Sequence, residues 1–143
     1  MKNVLIDQHP VTLVTERRDI EVGDILVLFA HAEWAKHRTA EQVGRMLHHT
    51  QVIVVAKCHA RLVGCARVVT DGAFRAFVED VIVIPTYRGV GIGRLMINKL
   101  EQLVSVMGIS RLDLVTTQTG FWERLGYHQK TGSSYMVKLL SGS

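Results

Sequence analysis

"YRGVGIGRL", Tyr87 to Leu95, is the stretch that decides the fold. Its three glycines, Gly89, Gly91 and Gly93, alternate with other residues, which brings bare backbone close to a ligand or to the chain itself. In front of it, "RAFVEDVIVIP" reads as a strand, and Pro85 ends that strand because proline cannot donate to a ladder. Behind it, Ile92, Leu95, Met96, Leu100, Leu103 and Met107 recur every three to four residues, the pattern of an amphipathic helix. Gly108 closes that helix. "RLDLVTT" follows as another strand, so Arg75 to Thr117 forms a strand–helix–strand crossover. Its two strands should run parallel with a right-handed connection.

Upstream, "PVTLVTE" reads as a first strand after Pro10. "DILVLFAHAEW" places Ile25, Leu28, Phe29 and Ala32 on one helical face, with Asp19 and Asp24 as alternative caps. In "TAEQVGRMLHH", Thr39 stands three residues before Gln42, a capping-box spacing. "QVIVVAKC" and "LVGCARVVTD" are β-branched runs around His59-Ala60-Arg61, which predicts a hairpin. "TDGAF" is a further turn. Downstream, "GFWERLGY" reads as a short helix ending near Gly126, "SSYMVKLL" as a last strand, and "SGS" as a frayed tail. The fold class is α+β around one mixed sheet, in a single domain over residues 1–143.

The composition narrows the function. With 48% apolar residues the chain is not disordered, and its 143 residues suit one core. The formal charge is +4 and the pI about 9.3, but the basic residues are scattered and few aromatics lie among them. A solvated surface is therefore expected, with no nucleic-acid partner. Cys58 and Cys65 fit no zinc spacing and read as reduced core thiols. The seven histidines contain no H-E-x-x-H, and His48 and His49 are adjacent, so no metal is expected. "MKNVLIDQHP" lacks a signal-peptide apolar stretch, and no run approaches the ~20 apolar residues of a spanning helix. A soluble, cytoplasmic protein without a membrane partner is the expectation.

The turn from strand into helix presents unpartnered amides at the positive end of the helix dipole, an anion site. Glycines allow a phosphate to approach, and Arg88 and Arg94 flank it. "RGVGIGR" thus reads as a pyrophosphate cradle, the alternative being a turn that only packs helix on strand. The dinucleotide fingerprint G-x-G-x-x-G fails in both frames, because Arg94 or Met96 stands at the third glycine. The triphosphate loop fails for lack of G-K-[ST].

Arg88-x-x-Gly91-x-Gly93 matches [QR]-x-x-G-x-[GA], and "FWERLGY" resembles a late "FYxxxGF" element. With the order of elements, these motifs resemble the GNAT superfamily of acetyl-CoA-dependent N-acetyltransferases. "VEDVIVIPTYRGVGIGRLM" and "YMVKLL" look most like its small glucosamine-phosphate N-acetyltransferases. The resemblance implies a mostly antiparallel central sheet with helices on both faces and a parallel strand–helix–strand cofactor site. It implies acetyl-CoA as co-substrate and a homodimer. The pyrophosphate should meet the amides of Gly89, Val90, Gly91, Ile92, Gly93 and Arg94. The pantetheine arm should pair with backbone of Val81, Ile82 and Val83, in a gap opened where the strands bearing Val83 and Leu114 splay.

Acetyl transfer needs a neutral amine, and an aliphatic amine is mostly protonated at pH 7. Glu79 is the candidate base, in an apolar strand beside Asp80. Alternation sends the two carboxylates to opposite faces, one toward substrate and the other toward the scaffold or a partner. Like charge should raise one pKa; the alternative is that both carboxylates face solvent or pair with Arg67 or Arg75. A backbone amide near Val81 to Val83 is expected to hold the developing oxyanion. Trp122 occupies the position where the family commonly has an acidic tyrosine, and an indole donates a hydrogen bond without titrating. Trp122 is therefore expected to cover the cofactor or bond its sulfur. Tyr127, at a position the family usually packs in the core, and Tyr135 are the alternatives for a leaving-group acid, and protonation of the thiolate by water would need neither. "VTTQTG" is short and lacks the family's frequent asparagine, leaving Thr116 and Thr117 as polar contacts. Trp34 and Phe29 read as core or cleft wall. The expected reaction is direct transfer to a small primary amine, an amino sugar or similar. Two rivals stay open: acetylation of a protein N-terminus or lysine, and an inactive acetyl-CoA-binding sensor.

Overall fold

A computed structural model of the chain describes residues 4–141. A two-stranded ribbon of β1 (Leu5–Ile6) and β2 (His9–Pro10) leads into β3 (Thr12–Val14). Helices α1 (Val22–Phe29) and α2 (Ala40–His49) follow. β4 (Val52–Cys58), β5 (Arg61–Thr70) and β6 (Ala76–Val83) then complete an antiparallel sheet of order β3-β4-β5-β6. The chain ends its regular structure with α3 (Ile92–Val106) and α4 (Thr119–Arg124). No helix among the described residues is long and apolar enough to cross a membrane.

Local chemistry explains most boundaries. The Thr39 side chain accepts from the Gln42 N–H and the Gln42 side chain from the Thr39 N–H, so the expected capping box forms. Neither Asp19 nor Asp24 caps α1. Glu21 holds that position without a side-chain bond, and Asp24 lies inside the first turn. The β4–β5 hairpin turns at His59 and Ala60, both with positive φ (54° and 62°), the twist that two-residue hairpins favour. In "TDGAF", the Asp71 Oδ1 accepts from the N–H groups of Ala73, Phe74 and Arg75, a side-chain mimic of a backbone turn. α3 stops at Gly108, whose φ is 83°.

Two apolar layers sandwich the sheet. Ile92, Met96, Ile97 and Leu100 of α3 pack on Val54, Val63, Ala66 and Val78. Ile25, Leu28 and Phe29 of α1 and Val43 of α2 pack on Ile53, Val55, Cys65 and Ile82 on the other face. The helices therefore lie on both faces of a mostly antiparallel sheet, as the resemblance implies.

Two predicted strands differ. "RLDLVTT" runs parallel to β6 as expected, but the pairing is a single bridge between Phe77 and Asp113. The Val78 N–H donates to the Asp113 carbonyl (2.8 Å) and the Asp113 N–H to the Ala76 carbonyl (3.0 Å). "SSYMVKLL" forms no strand. Its pattern is right for a sheet, but among the described residues no edge pairs with it. The "SGS" tail reaches beyond Ser141, outside the described residues.

Candidate active site

The decisive local feature is a bulge in β6. Cys65 pairs with Ile82 and Arg67 with Glu79, so Asp80 and Val81 together stand opposite Ala66. Asp80 takes φ of 54°, the left-handed region that aspartate tolerates better than most residues. The bulge changes which face the strand buries. Ala76 and Val78 pack in the α3 layer, whereas Ile82 and Ile84 pack in the α1 layer. Strict alternation would have kept all four on one side. The expectation that Glu79 and Asp80 point to opposite faces is therefore corrected, because the extra residue places both on the side that carries α1.

The two carboxylates still have different surroundings. Asp80 is buried, at 4% exposure. Its Oδ1 accepts from the Trp34 indole N–H (2.9 Å), and its Oδ2 from Arg38 Nη1 (2.8 Å) and Arg67 Nε (2.7 Å). Burial alone would raise the Asp80 pKa, but the hydrogen bonds and charges of Arg38 and Arg67, with Trp34, hold it below the ordinary carboxylate value. Asp80 is thus a fixed anion that ties the turn after α1 to the sheet. Cys65 completes the bulge: its thiol donates to the Asp80 carbonyl (3.3 Å), and burial, with the Asp80 charge second, pushes it up to about 12. That thiol is a structural group, although it lies closer to the site than its place on the hairpin suggested.

Glu79 is half-buried beside this cluster. Its pKa is raised, first by burial and then by the Asp80 charge, against the opposing effects of Arg67 and Arg38. A carboxylate with a raised pKa on a cleft wall is equipped to accept a proton.

The cleft itself has a volume of about 1030 Å³. One wall is the part of β6 that carries Glu79, Val81 and Val83. The other runs from Leu114 to Gln118 and on to Phe121 and Trp122. The single bridge at Phe77 sets the vertex where the walls part. Bulges bend the strand that carries them, so β6 turns away beyond Val78 and its edge has no strand partner among the described residues. Ile82 points into the α1 layer, so only its backbone faces this edge.

The glycine turn closes one end. Gly89 and Gly91 have φ of 83° and 96°, and Gly91 is the N-cap of α3. The first amides of α3, at Ile92, Gly93 and Arg94, precede the first intrahelical bond from Leu95 to Gly91 and point outward. Gly93 has another reason to be glycine: a Cβ there would stand 3.1 Å from the Phe121 ring. The turn uses two glycines for conformation and one for packing against Phe121. Val90 is exposed at its tip. Arg88 does more than flank it, because its Nε donates to the Val83 carbonyl (3.0 Å) and staples the turn to β6.

Trp122 is buried on the cleft wall, edge-on to Phe121 and Tyr127, each with ring centroids 5.1 Å away. Tyr127 is corrected as a candidate acid. Its hydroxyl donates to Glu101 Oε2 on α3 (2.7 Å), it does not line the cleft, and burial with the Glu101 bond raises its pKa further. Tyr135 does border the cleft, as do Thr116 and Thr117. Thr116 Oγ1 accepts from the Gln118 N–H (2.8 Å), shaping the entry to α4. Trp34, read from sequence as wall or core, holds a larger part: it lines the cleft at 61% exposure while its N–H is fixed on Asp80. A tryptophan four residues before Arg38, the one large apolar residue between His31 and Arg38, was the available signal.

The arrangement has known counterparts. The family model for the acetyltransferase (GNAT) family matches residues 20–127. Serotonin N-acetyltransferase 2, chloroplastic, of Oryza sativa is 31% identical over 114 residues, covering 76% of this chain and 56% of that protein. The chain spans little more than half the length of the first curated relatives it matches. A GNAT-family protein from Xanthomonas campestris superposes with a TM-score of 0.78 at 26% identity, over 92% of this chain and 94% of that one. Glucosamine-6-phosphate N-acetyltransferase from Arabidopsis thaliana shares the fold, with a TM-score of 0.73 at 19% identity over 92% and 99% of the two chains. On the strength of a model match across three quarters of its length, on the fold that these neighbours share, this chain belongs to the GNAT acetyltransferase family.

Proposed function

We propose that this chain transfers the acetyl group of acetyl-CoA to a small primary amine by direct attack, without a covalent enzyme intermediate. The observation that carries the reading is a single cleft with an anion-binding helix start at one end, an unpaired β6 edge along its wall, and Glu79 with its raised pKa. Acetyl-CoA supplies the acetyl thioester. The residues present fit it: the amides of Ile92, Gly93 and Arg94 suit a pyrophosphate, and the free edge at Val81 to Val83 suits an extended polar chain paired like an added strand. Arg94 lines the same end and adds charge. The backbone at the bulge leaves β6 amides without ladder partners, where a developing oxyanion can be held.

Glu79 then removes the proton that keeps the amine from attacking, directly or through water. Asp80, locked by Arg38, Arg67 and Trp34, positions that segment and raises the Glu79 pKa. Cys65, held protonated by burial, takes no part as a nucleophile. Trp122 forms the wall beside the cofactor and supplies no titrating proton, so the departing CoA thiolate takes its proton from water as the thioester bond breaks.

An amino sugar or a similar small amine is the proposed acceptor, and the similarity to a protein named for serotonin places arylalkylamines in the same trial. Thiol release is measured with amino sugars, arylalkylamines, polyamines, amino acids and peptides. Release with at least one small amine is expected. Release with peptides alone favours a protein acceptor. Release with none, while acetyl-CoA still raises the melting temperature, leaves a sensor. No thermal shift with acetyl-CoA removes the whole reading.

A further inference from the structure

Trp34 is a large apolar side chain held in the open. It stands in the turn after α1 between Ala32 and Ala35, which are buried at 3% and 1% exposure and root that turn in the core. The indole itself is 61% exposed and lines the cleft. Single exposed apolar residues are ordinary, but they are seldom held still. Here the indole N–H donates to Asp80 Oδ1 (2.9 Å), and Asp80 is fixed in turn by Arg38 and Arg67. The ring is therefore a rigid apolar face, ordered before any ligand arrives. Asp80 follows Glu79 directly in β6, so the anchored indole stands beside the proposed base.

Charge along the cleft is divided between its ends. Among the described residues, the cations that line it are Arg88, Arg94 and Arg124. Arg88 staples the glycine turn to β6, and Arg94 lies in the first turn of α3. Arg124 is three residues beyond Phe121 on α4 and shares its helical face. The Phe121 ring packs where a Gly93 Cβ would stand, so Arg124 also belongs to the glycine end. The other end carries Glu79 and Asp80. Arg38 and Arg67 are bound to Asp80 there, and the Arg38 guanidinium also lies over the Phe29 ring at 4.9 Å. No cation among the residues lining the cleft therefore stands beside Trp34. Asp80 already accepts three hydrogen bonds, which leaves Glu79 as the carboxylate open to an amine.

Resting on the acetyl-transfer reading, we propose that Trp34 is the platform for the acceptor, and that the acceptor is a primary amine joined by a short alkyl tether to an aromatic ring, without a phosphate. The acceptor ring stacks on the indole. Its ammonium is attracted by the indole face and by Glu79, and so arrives beside the group that takes its proton. A sugar phosphate would bring an anion to the carboxylate end, where like charges repel and no cation receives it.

The test is calorimetric titration of the CoA-loaded full chain with phenylethylamine, ethylamine, glucosamine and glucosamine-6-phosphate, a readout that needs no turnover. Phenylethylamine should bind about tenfold more tightly than ethylamine, the scale of one aromatic pair. Glucosamine-6-phosphate should bind more weakly than glucosamine. Trp34→Ala should abolish the preference for the aryl amine. Trp34→Phe loses the bond to Asp80 but keeps an aromatic face, so it should keep most of that preference, whereas a merely structural tryptophan would make the two variants alike. In thiol release the Trp34→Ala effect on phenylethylamine should fall on KM more than on kcat. If Trp34→Ala does not fold, the order of the four amines and the Trp34→Phe variant decide. Equal binding of ethylamine and phenylethylamine, tighter binding of the sugar phosphate than of the sugar, or equal loss in the two variants each overturns the proposal. No thermal shift with acetyl-CoA strikes the proposed function and the platform together. A thermal shift without these preferences strikes the platform alone.

Discussion

The two walls of the cleft are built on opposite plans. The β6 wall is held from behind by an antiparallel ladder to β5 on both sides of its bulge, stapled at that bulge by Arg38, Arg67 and Trp34, and pinned at its end by Arg88. The facing wall, from Leu112 to Trp122, has one bridge to the sheet, a six-residue helix and side-chain packing. The difference teaches how a cleft of this size persists. The rigid wall keeps the carboxylates and the backbone edge in register, while the lightly held wall stands off and leaves that edge unpaired. In the proposed reaction the groups that set chemistry lie on the first, and those that enclose the cofactor lie on the second.

That contrast can be broken at graded strengths. Asp80→Ala strikes the rigid wall hardest. It leaves two arginines beside a buried cavity, so a loss of about 3–5 kcal/mol is expected in urea unfolding. The pH sign follows from the lowered Asp80 pKa. Its stabilisation is present above the unfolded carboxylate value of about 3.9 and is lost as pH falls through the lower folded value. The acid slope of stability should therefore be shallower in the variant.

Glu79→Gln should leave the melting temperature nearly unchanged and lower kcat/KM by about 100-fold, the lower range for removing a general base. Because the Glu79 pKa is raised, the acidic limb of the unaltered enzyme's rate profile should lie above the ordinary carboxylate range and vanish in the variant. A limb that stays in place rules out the base assignment.

Gly91→Ala and Gly93→Ala set the two walls against each other. The first forces a side chain into φ of 96° at the start of α3, at a cost of about 1–2 kcal/mol. Acetyl-CoA should bind roughly tenfold more weakly by calorimetry, the equivalent of about 1.4 kcal/mol. The second meets only the Phe121 ring on the lightly held wall, which can shift, so its effect on affinity should be the smaller. Equal losses would mean that the far wall is as rigid as β6. Smallest of all, Tyr127→Phe should cost about 1 kcal/mol for its hydrogen bond to Glu101 and leave the rate profile untouched.

How far the residues themselves announced this arrangement depends on the range of the interaction. The α3 period, the Thr39 capping box and the hairpin after Cys58 are settled by neighbours within a few positions, and all three form, although Arg61 joins β5 and leaves a two-residue turn. The bulge was hidden because the apolar runs on either side of Glu79 and Asp80 read as one continuous strand, and the residue that takes the left-handed conformation is an aspartate where a glycine would have been conspicuous. Tyr127 stood in a suggestive motif, but its partner is 26 residues away on α3. "SSYMVKLL" reads as a strand from its own composition, but composition supplies no partner edge, and among the described residues the segment forms no strand.

The glycine turn, the helix behind it and the apolar strand before it are written in the residues themselves, because local backbone freedom and side-chain periodicity encode them directly. Only the tertiary structure decided that Asp80 turns inward to two arginines and an indole, that Glu79 is left on the cleft wall, and that the sheet opens beyond Phe77. Those outcomes depend on partners 13 to 46 positions apart, whose charges and backbone groups meet only once the chain has folded.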